Sequence, residues 1–149
     1  MDKDRLNHSY AVAKKMMQTG QKLGLSREEL KELFVIGLNH DIGYEFSENG
    51  VNHNKIGGEI LKNSGFRFWK EVYYHGILTT EFSSMYLDIL NYADMQIDKF
   101  GNDVGFGKRL EDIEKRYGKD SIVLNRCKEL INDLKKRVLN LEIKEDDER

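Results

Sequence analysis

Apolar residues recur every three or four positions along most of this chain, which is the period of an amphipathic α-helix. No stretch alternates apolar and polar residues for long enough to predict a sheet. We therefore predict an all-α domain, a compact bundle of about six to seven helices. The markers of these helices are, in chain order, the stripe Leu6, Tyr10, Ala13 and Met17 ended by Gly20 and Gly24; a helix after Ser26 through Leu33, Phe34, Gly37 and His40 to Gly43; segments 52–63, 68–75 and 83–100; a helix through Leu110, Ile113 and Tyr117; and the stripe Leu124, Cys127, Ile131, Leu134, Val138 and Leu141.

Capping residues and glycines mark the helix ends, since the chain has 13 glycines and no proline. Ser26 and Glu29 have the spacing of a capping box, and Leu25 with Leu30 has that of a hydrophobic staple. The glycine-rich segment 102–108 is predicted to be a loop. These signals separate the helical segments from one another.

The length of 149 residues suits one domain around one hydrophobic core. We predict a single domain over 1–149, with a motif-bearing core at about 5–100, C-terminal helices at about 108–142 and an acidic tail at 144–149. Apolar residues of the last helix alternate three and four positions apart, a pattern that could form a coiled-coil dimer interface. This pattern covers only about two and a half heptads. We expect this helix to pack on its own domain, and a homodimer stays possible.

Charge and composition exclude several classes of protein. The formal net charge is −2 and the isoelectric point is near 6.1, so we expect no sequence-specific nucleic-acid partner. A single cysteine excludes a disulfide framework and a cysteine-based zinc ribbon. The charged N-terminus is not a secretory signal, and the longest apolar run, Leu33 to Ile36, is too short to cross a bilayer. We expect a cytoplasmic protein without a membrane partner.

Acidic and imidazole side chains fall where a simple helical bundle does not need them. Asp94 shares one helix face with Leu90 and Ile97, and that face should point to the core. A buried carboxylate needs a cation or several hydrogen-bond donors as its partner. His40 continues the buried face of its helix and is followed at once by Asp41. These acids and this histidine are candidates for a metal site.

The other three histidines also lie at helix ends or on inward faces. His8 is one turn before Val12, His53 begins the third helix and His75 ends the fourth. Taken singly, each is more simply a core or capping residue than a metal ligand. Together with the two aspartates they form a set of nitrogen and oxygen donors without thiolate. Such a set suits Fe, Mn, Zn, Co or Ni, and Mg where oxygen ligands dominate.

Three short segments resemble the motifs of the HD superfamily of metal-dependent phosphohydrolases. They are Arg5-Leu6-Asn7-His8-Ser9, Leu38-Asn39-His40-Asp41-Ile42-Gly43 and Tyr92-Ala93-Asp94. The family pattern is a His, a His-Asp doublet and a later Asp, each on a different helix of an all-α bundle. The resemblance covers about residues 5 to 100. It implies that His8, His40, Asp41 and Asp94 are metal ligands.

Two further segments resemble the positions where members with two metals carry additional histidines. They are Asn52-His53-Asn54-Lys55-Ile56-Gly57 and Tyr74-His75-Gly76. The resemblance therefore implies one or two divalent ions, with His53 and His75 on the second and Asp41 bridging. It also implies hydrolysis of a phosphomonoester or phosphodiester, of a nucleotide or another small molecule, by a metal-activated water. Asp41 or Asp94 would then accept the proton of that water.

One position departs from the family pattern. Many members carry a lysine directly after the His-Asp-Ile-Gly run, and this chain has Tyr44 there. Lys55 is the nearest basic candidate for binding substrate phosphate, although an exposed surface lysine is the simpler interpretation. Arg5, one turn before His8, is expected to pair with a ligand carboxylate or to face substrate. Glu45 is a candidate general acid, with a solvated loop carboxylate as the alternative.

Two other functions fit the same residues. A minority of relatives of the family activate oxygen at a di-iron centre, and redox-active iron would distinguish that activity from hydrolysis. A non-catalytic helical module would bind a metal, a nucleotide or a protein without turnover. The substrate itself stays open.

Overall fold

The computed structural model describes residues 2–137 of the chain. These residues form the α-helices α1 (Lys3–Lys22), α2 (Arg27–Asn39), α3 (His53–Asn63), α4 (Trp69–Tyr74), α5 (Met85–Asp94), α6 (Gly105–Tyr117) and α7 (Ile122–Arg137), and a 3₁₀ helix (Ile42–Phe46) between α2 and α3. The only extended pairing within this range is an isolated bridge between Ile97 and Asp103. The predicted all-α class is confirmed. None of the helices in this range is long and apolar enough to cross a membrane.

Side-chain caps begin four of the helices, one of them Ser121 Oγ at the start of α7. Ser26 Oγ accepts the Glu29 N–H, and Ser26 N–H donates to the Glu29 carboxylate at 2.9 Å, so the predicted capping box is confirmed. Asp2 caps α1 and Ser84 caps α5 through their side-chain oxygens. These bonds satisfy backbone donors that have no partner in the first turn of a helix.

One hydrophobic cluster lies between α1, α2 and α5. Its buried members are Val12, Met16, Leu33, Ile36, Ile89, Leu90, Ala93 and Ile97. The helices α1 and α2 approach closely at Gly37, where an added Cβ would lie 2.5 Å from the Ala13 Cα. Glycine permits this backbone contact because it has no side chain. The contact holds the helices that carry His8 and His40 side by side.

A second cluster packs α6 and α7 against the end of α5. Its buried members are Tyr92, Met95, Ile113, Leu124, Cys127, Leu130, Ile131 and Leu134. The apolar stripe of the last helix is therefore buried in its own domain as far as Leu134, as expected. Val138, Leu141 and the predicted acidic tail lie outside the described residues.

The chain between α2 and α3 folds tightly. The helix α2 ends at Asn39 rather than at the predicted Gly43, and the 3₁₀ helix follows almost at once. Gly43 lies so close to the start of α3 that an added Cβ would overlap the carbonyl oxygen of His53. This close approach brings the pair His40-Asp41 near His53.

Two other predicted boundaries are wrong. The helix predicted at 83–100 ends at Asp94, because the chain then turns into the isolated bridge. The loop predicted at 102–108 gives way to α6 at Gly105, whose φ of +82° turns the chain into the helix. Gly107 therefore lies inside a helix.

The first helix buries only part of the predicted stripe, since Ala13 is buried as predicted but Leu6 and Tyr10 are not. Leu6 and Tyr10 are 54% and 51% exposed, and the helix continues through Gly20 to Lys22. Its buried residues are His8, Ser9, Val12, Ala13, Met16, Thr19 and Gly20. The expected stripe counted only apolar residues, whereas this helix turns an imidazole toward the acidic end of α5.

Candidate metal centre

Four histidines and two aspartates from separate parts of the chain meet at one site. His8 lies in α1, His40 directly follows α2, Asp41 precedes the 3₁₀ helix, His53 begins α3, His75 directly follows α4, and Asp94 is the last residue of α5. All are buried except His53, which is half-buried. Helix ends converge here, so the structure brings together every metal ligand that the resemblance implied.

Backbone carbonyl groups orient all four imidazole rings. Each Nδ1 atom lies 2.6–2.9 Å from a carbonyl oxygen, which belongs to Asp98 for His8, Gly37 for His40, Gly50 for His53 and Val72 for His75. A carbonyl oxygen can only accept a hydrogen bond, so each Nδ1 carries a hydrogen. The four Nε2 atoms therefore face the carboxylates and are the atoms available to a metal.

The two carboxylate oxygens of Asp41 face two different pairs of imidazoles. Oδ2 lies 3.5 Å from His8 Nε2 and 3.4 Å from His40 Nε2. Oδ1 lies 3.4 Å from His53 Nε2 and 3.5 Å from His75 Nε2. Asp41 thus stands between the two pairs, where a carboxylate can bridge two cations.

Asp94 adds a second carboxylate beside the first pair of imidazoles. Its Oδ1 lies 2.9 Å from His8 Nε2 and 3.3 Å from His40 Nε2. Three overlapping groups have potential ligand atoms within 4.8 Å of one another: His8, His40 and Asp41; His40, His75 and Asp94; and Asp41, His53 and His75. The geometry therefore offers more than one position for an ion.

His75 shows most directly that these residues fit a cation. Its Nε2 is buried and has no hydrogen-bond partner among residues 2–137, since the 3.5 Å separation from Asp41 is too long for a good hydrogen bond. A buried polar nitrogen without a partner is destabilising. A divalent ion would satisfy its lone pair, and imidazole with carboxylate is a donor set that transition ions prefer.

Both aspartates of the centre stay ionised. Burial by itself would raise the pKa of Asp41, but the neighbouring imidazoles, His40 first, hold that pKa far below the usual carboxyl range. Burial also opposes the ionisation of Asp94, yet hydrogen bonds from His40 and His8 bring its pKa well below the ordinary value. Two buried negative charges in a ring of imidazoles require positive charge beside them.

The imidazoles differ in the direction of their pKa shifts. Burial would lower the pKa of His8 and of His40, but the neighbouring carboxylates raise both above the usual value. Burial, and then the nearby His75, lower the pKa of His53 to about 4. His53 is therefore neutral at pH 7, as a metal ligand must be. At His8 and His40 a bound cation would take the place of a proton.

Arg5 and Tyr44 cover one side of Asp41. Arg5 Nη1 donates to Asp41 Oδ2 at 3.1 Å, and the guanidinium carbon lies 3.5 Å from the centre of the Tyr44 ring. That ring lies 4.2 Å from the His53 ring. Burial and the nearby Asp41 raise the pKa of Tyr44 to about 12, so the phenol stays protonated at neutral pH. Tyr44 supports Arg5 and His53 by packing against both.

A cavity of about 660 Å³ opens over the clustered residues. Its lining includes Arg5 and the exposed Lys55, the two residues predicted to contact substrate. Glu45 is exposed on the 3₁₀ helix and is not part of this lining, so its role as a general acid stays a prediction. The volume lies within the range of small-molecule sites, about 300–1,000 Å³.

Two buried amides that sequence reasoning missed help to position the clustered residues. Asn91 Oδ1 accepts the Gly76 N–H at 2.8 Å, which fixes the turn after His75. Asn54 Nδ2 donates to the Tyr73 carbonyl at 2.8 Å and ties α3 to α4. Asn91 lies three residues before Asp94 on the inward side of α5. A second polar residue on that buried face was the signal that could have revealed it.

A family model matches most of the chain. It is the model of the HD domain, and it covers residues 5–103. The chain belongs to the HD domain family. The match includes all six clustered residues and ends before α6. HD domain proteins are generally metal-dependent hydrolases that bind divalent ions, which agrees with the donor set described above. The chain has no significant similarity to any curated protein or solved structure compared with it.

Proposed function

We propose that this HD domain protein is a metal-dependent phosphohydrolase that cleaves a phosphomonoester or phosphodiester of a nucleotide or a similar small molecule. The proposal rests chiefly on Asp41, whose two oxygens each face a different pair of imidazoles. Paired metal sites recur among enzymes that hydrolyse phosphate esters. Membership of the HD domain family supports the same class of reaction.

The donors divide into two metal positions that share one carboxylate. We assign His8, His40, Asp41 and Asp94 to the first position, and Asp41, His53 and His75 to the second. These donors suit Fe, Mn, Zn, Co or Ni, with Mg possible at the more oxygen-rich first position. When bound, such ions activate water as a nucleophile and neutralise charge that grows on the phosphoryl group.

The protein's own residues orient the reactants and move the proton. Asp41 and Asp94 both line the cavity, so we assign one of these two carboxylates to accept the proton of the attacking water. Arg5 and Lys55 line the same cavity and bind phosphoryl oxygens through charge-assisted hydrogen bonds. Because Arg5 also donates to Asp41, it links the substrate to the bridging carboxylate.

The test combines metal analysis with a substrate panel. The purified protein is analysed for bound elements and assayed with phosphomonoesters, phosphodiesters and nucleotides in the presence of Mn, Fe, Co, Ni, Zn or Mg. Asp41→Asn keeps the side-chain shape but removes the charge shared by both metal positions. We expect loss of bound metal and a fall in kcat/KM of about 10³-fold or more.

The matched control is Asp120→Asn, which removes the same charge from an exposed residue in the turn between α6 and α7. This variant should keep both metal and activity. Turnover that survives Asp41→Asn, or the double change His40→Ala with Asp41→Ala, contradicts the assignment of the site.

The same assays separate two alternative functions. Nitrogen and oxygen donors also suit a di-iron centre. Such a centre would consume dioxygen together with its substrate and would cleave none of the phosphoesters in the panel. A non-catalytic module would bind metal or nucleotide without turnover with any ion. Either result would replace the proposed hydrolase activity.

A further inference from the structure

Three arginines outside the segment matched by the HD domain model line the same cavity as the metal ligands. They are Arg109 and Arg116 of α6 and Arg126 of α7. We propose that these arginines form a second anion subsite, so that the substrate carries a further phosphate group beside the one held at the metal centre. This inference rests on the proposed phosphohydrolase function and specifies its substrate class.

The helical spacing places two of these arginines on one face of α6. Arg109, Ile113 and Arg116 are four and three residues apart, which puts them on the same side of the helix. All three line the cavity, and Ile113 is also buried against α7. Arg126 lines the cavity from α7, one residue before the buried Cys127. The α6–α7 hairpin therefore presents guanidinium groups to the space above the metal centre.

Three other arginines are instead paired with acids. Arg5 contacts Asp41, Arg67 contacts Glu32, and Arg137 contacts Asp88 and Asp133. By contrast, Arg109, Arg116 and Arg126 have no carboxylate within 4.0 Å among residues 2–137. Glu129 is the one acid lining the cavity from α6 or α7 in this part of the chain. The positive charge of the hairpin face therefore exceeds its negative charge.

Arg109 carries the most specific sign of an anion partner. Its Nε is buried, and no acceptor for it exists within the described residues. A guanidinium is always charged, and its planar fork of N–H donors matches the oxygens of a phosphate. A buried donor of this kind without an acceptor is destabilising. A phosphate oxygen in the cavity would satisfy it.

The remaining lining fits the organic part of such a substrate. Val51, Leu78, Tyr117 and Val123 are exposed apolar or aromatic residues on the cavity wall. Ligand sites of this size commonly combine an apolar wall with a few polar groups that fix orientation. The substrate class is thus an organic molecule with two phosphate groups or a polyphosphate chain, one phosphate at the metals and another at the arginines.

The first test measures binding rather than turnover. Inorganic phosphate and inorganic tripolyphosphate are titrated into the metal-loaded protein at fixed ionic strength by isothermal calorimetry. The variant Arg116→Ala with Arg126→Ala removes two exposed side chains, so it should fold normally. We expect its Kd for tripolyphosphate to rise about tenfold or more, since each charge-assisted hydrogen bond contributes on that order. The Kd for inorganic phosphate should change less than about twofold, because one phosphate is held at the metals.

The matched control is Lys119→Ala with Lys128→Ala, which removes the same charge from exposed residues that do not line the cavity. Arg109→Lys keeps the charge but loses the fork of donors, and it should weaken tripolyphosphate binding as well. Circular dichroism of each variant checks that the helices are intact. Equal tripolyphosphate affinity in the double arginine variant and its lysine control overturns the inference.

A parallel turnover assay distinguishes the two hypotheses. If the protein hydrolyses phosphoesters but the arginine variants bind tripolyphosphate normally, the second subsite is wrong and the hydrolase function stands. If no phosphoester is cleaved but the arginine variants lose tripolyphosphate binding, the subsite stands and the hydrolase function is wrong.

Discussion

At the scale of single residues, the centre depends on Asp41. This carboxylate is 2% exposed, lies within 3.5 Å of four imidazole nitrogens and accepts a hydrogen bond from Arg5. A buried charge of this kind is tolerated only where partners surround it. Each surrounding ring is in turn oriented by a backbone carbonyl. The residue therefore lies between two pairs of imidazoles, and its environment keeps it ionised.

Tyr44 gives a prediction at this scale. Tyr44→Ala removes the ring that packs between Arg5 and His53, so both side chains lose their support. We expect metal affinity to fall about tenfold, at the lower end of what outer-sphere residues contribute. Tyr44→Phe keeps the ring and should retain nearly full affinity. Titration with Mn or Co measures the effect, and equal affinities for the two variants would show that the ring has no positioning role.

Glu71 gives a prediction about pH. This residue is buried and accepts a hydrogen bond from Ser84 Oγ at 2.9 Å, and burial raises its pKa above the usual value. A raised carboxyl pKa favours the folded state at acid pH, and this stabilisation is lost as the pH rises through the folded-state value. Glu71→Gln keeps the hydrogen bond without the charge. It should therefore be more stable than the parent protein at pH 7.

Thermal unfolding of both proteins between pH 4 and pH 8 measures this difference. A stability gain of 1 kcal/mol raises the Tm by about 2–4 °C in a domain of this size. The gap between the two proteins should grow with pH and close in acid. A constant gap across the range would show that ionisation of Glu71 is not its cause.

At the scale of helices, the site is made by helix ends and close crossings. Most of the ligands begin, end or directly follow a helix, where side chains of different helices can converge. His8 is different, because it reaches the centre from within the long α1. The glycines Gly37 and Gly43 allow the backbones to approach closely enough for this arrangement. These two glycines therefore help to determine where the clustered residues lie.

A substitution at Gly37 tests this dependence. Gly37→Ala places a methyl group against the Cα and N of Ala13, atoms that cannot rotate away. We expect a loss of about 1–3 kcal/mol in the free energy of unfolding, together with weaker metal binding, because α1 and α2 must separate. Gly107→Ala is the control, since an added Cβ there meets nothing within 4 Å.

The control should stabilise the protein by about 0.5–1 kcal/mol, because alanine is the better helix former. Urea unfolding of both variants measures the two effects. Similar stabilities would indicate that the Gly37 contact relaxes without cost. A loss of stability with unchanged metal affinity would separate the packing of α1 and α2 from the metal centre.

At the scale of the whole molecule, the centre ties together parts of the chain from α1 to α5. A ligand that binds only the folded state stabilises it by about 2.7 kcal/mol at a concentration one hundred times its Kd. Saturating metal should thus raise the Tm by about 5–10 °C, and a chelator should reverse the shift. Differential scanning calorimetry measures it. Asp41→Asn should show no shift, and a shift retained in that variant would place the metal elsewhere.

The sequence predicted the helices well where local signals agreed. Ser26 and Glu29 marked the start of α2 through a reciprocal pair of hydrogen bonds, which depends on only four consecutive residues. The stripe from Leu124 to Leu134 marked α7 through its period alone. The motifs that contain His40, Asp41 and Asp94 likewise pointed to residues that cluster in the structure. Local chemistry is sufficient for such features.

Tertiary structure determined three features that the sequence did not. They are which side of α1 is buried, where α5 ends, and which side of the α6–α7 hairpin lines the cavity. Periodicity favoured Leu6 and Tyr10 as inward residues, but both are exposed. His8 does lie inward as the sequence indicated, and the structure adds that it faces acids of α5 and of the segment after α2. Asp41 lies between two pairs of imidazoles, and Arg109 lines the cavity over the candidate metal centre. Both arrangements depend likewise on segments that are distant in sequence. Sequence spacing describes positions along one helix, whereas these contacts depend on how closely two backbones can approach.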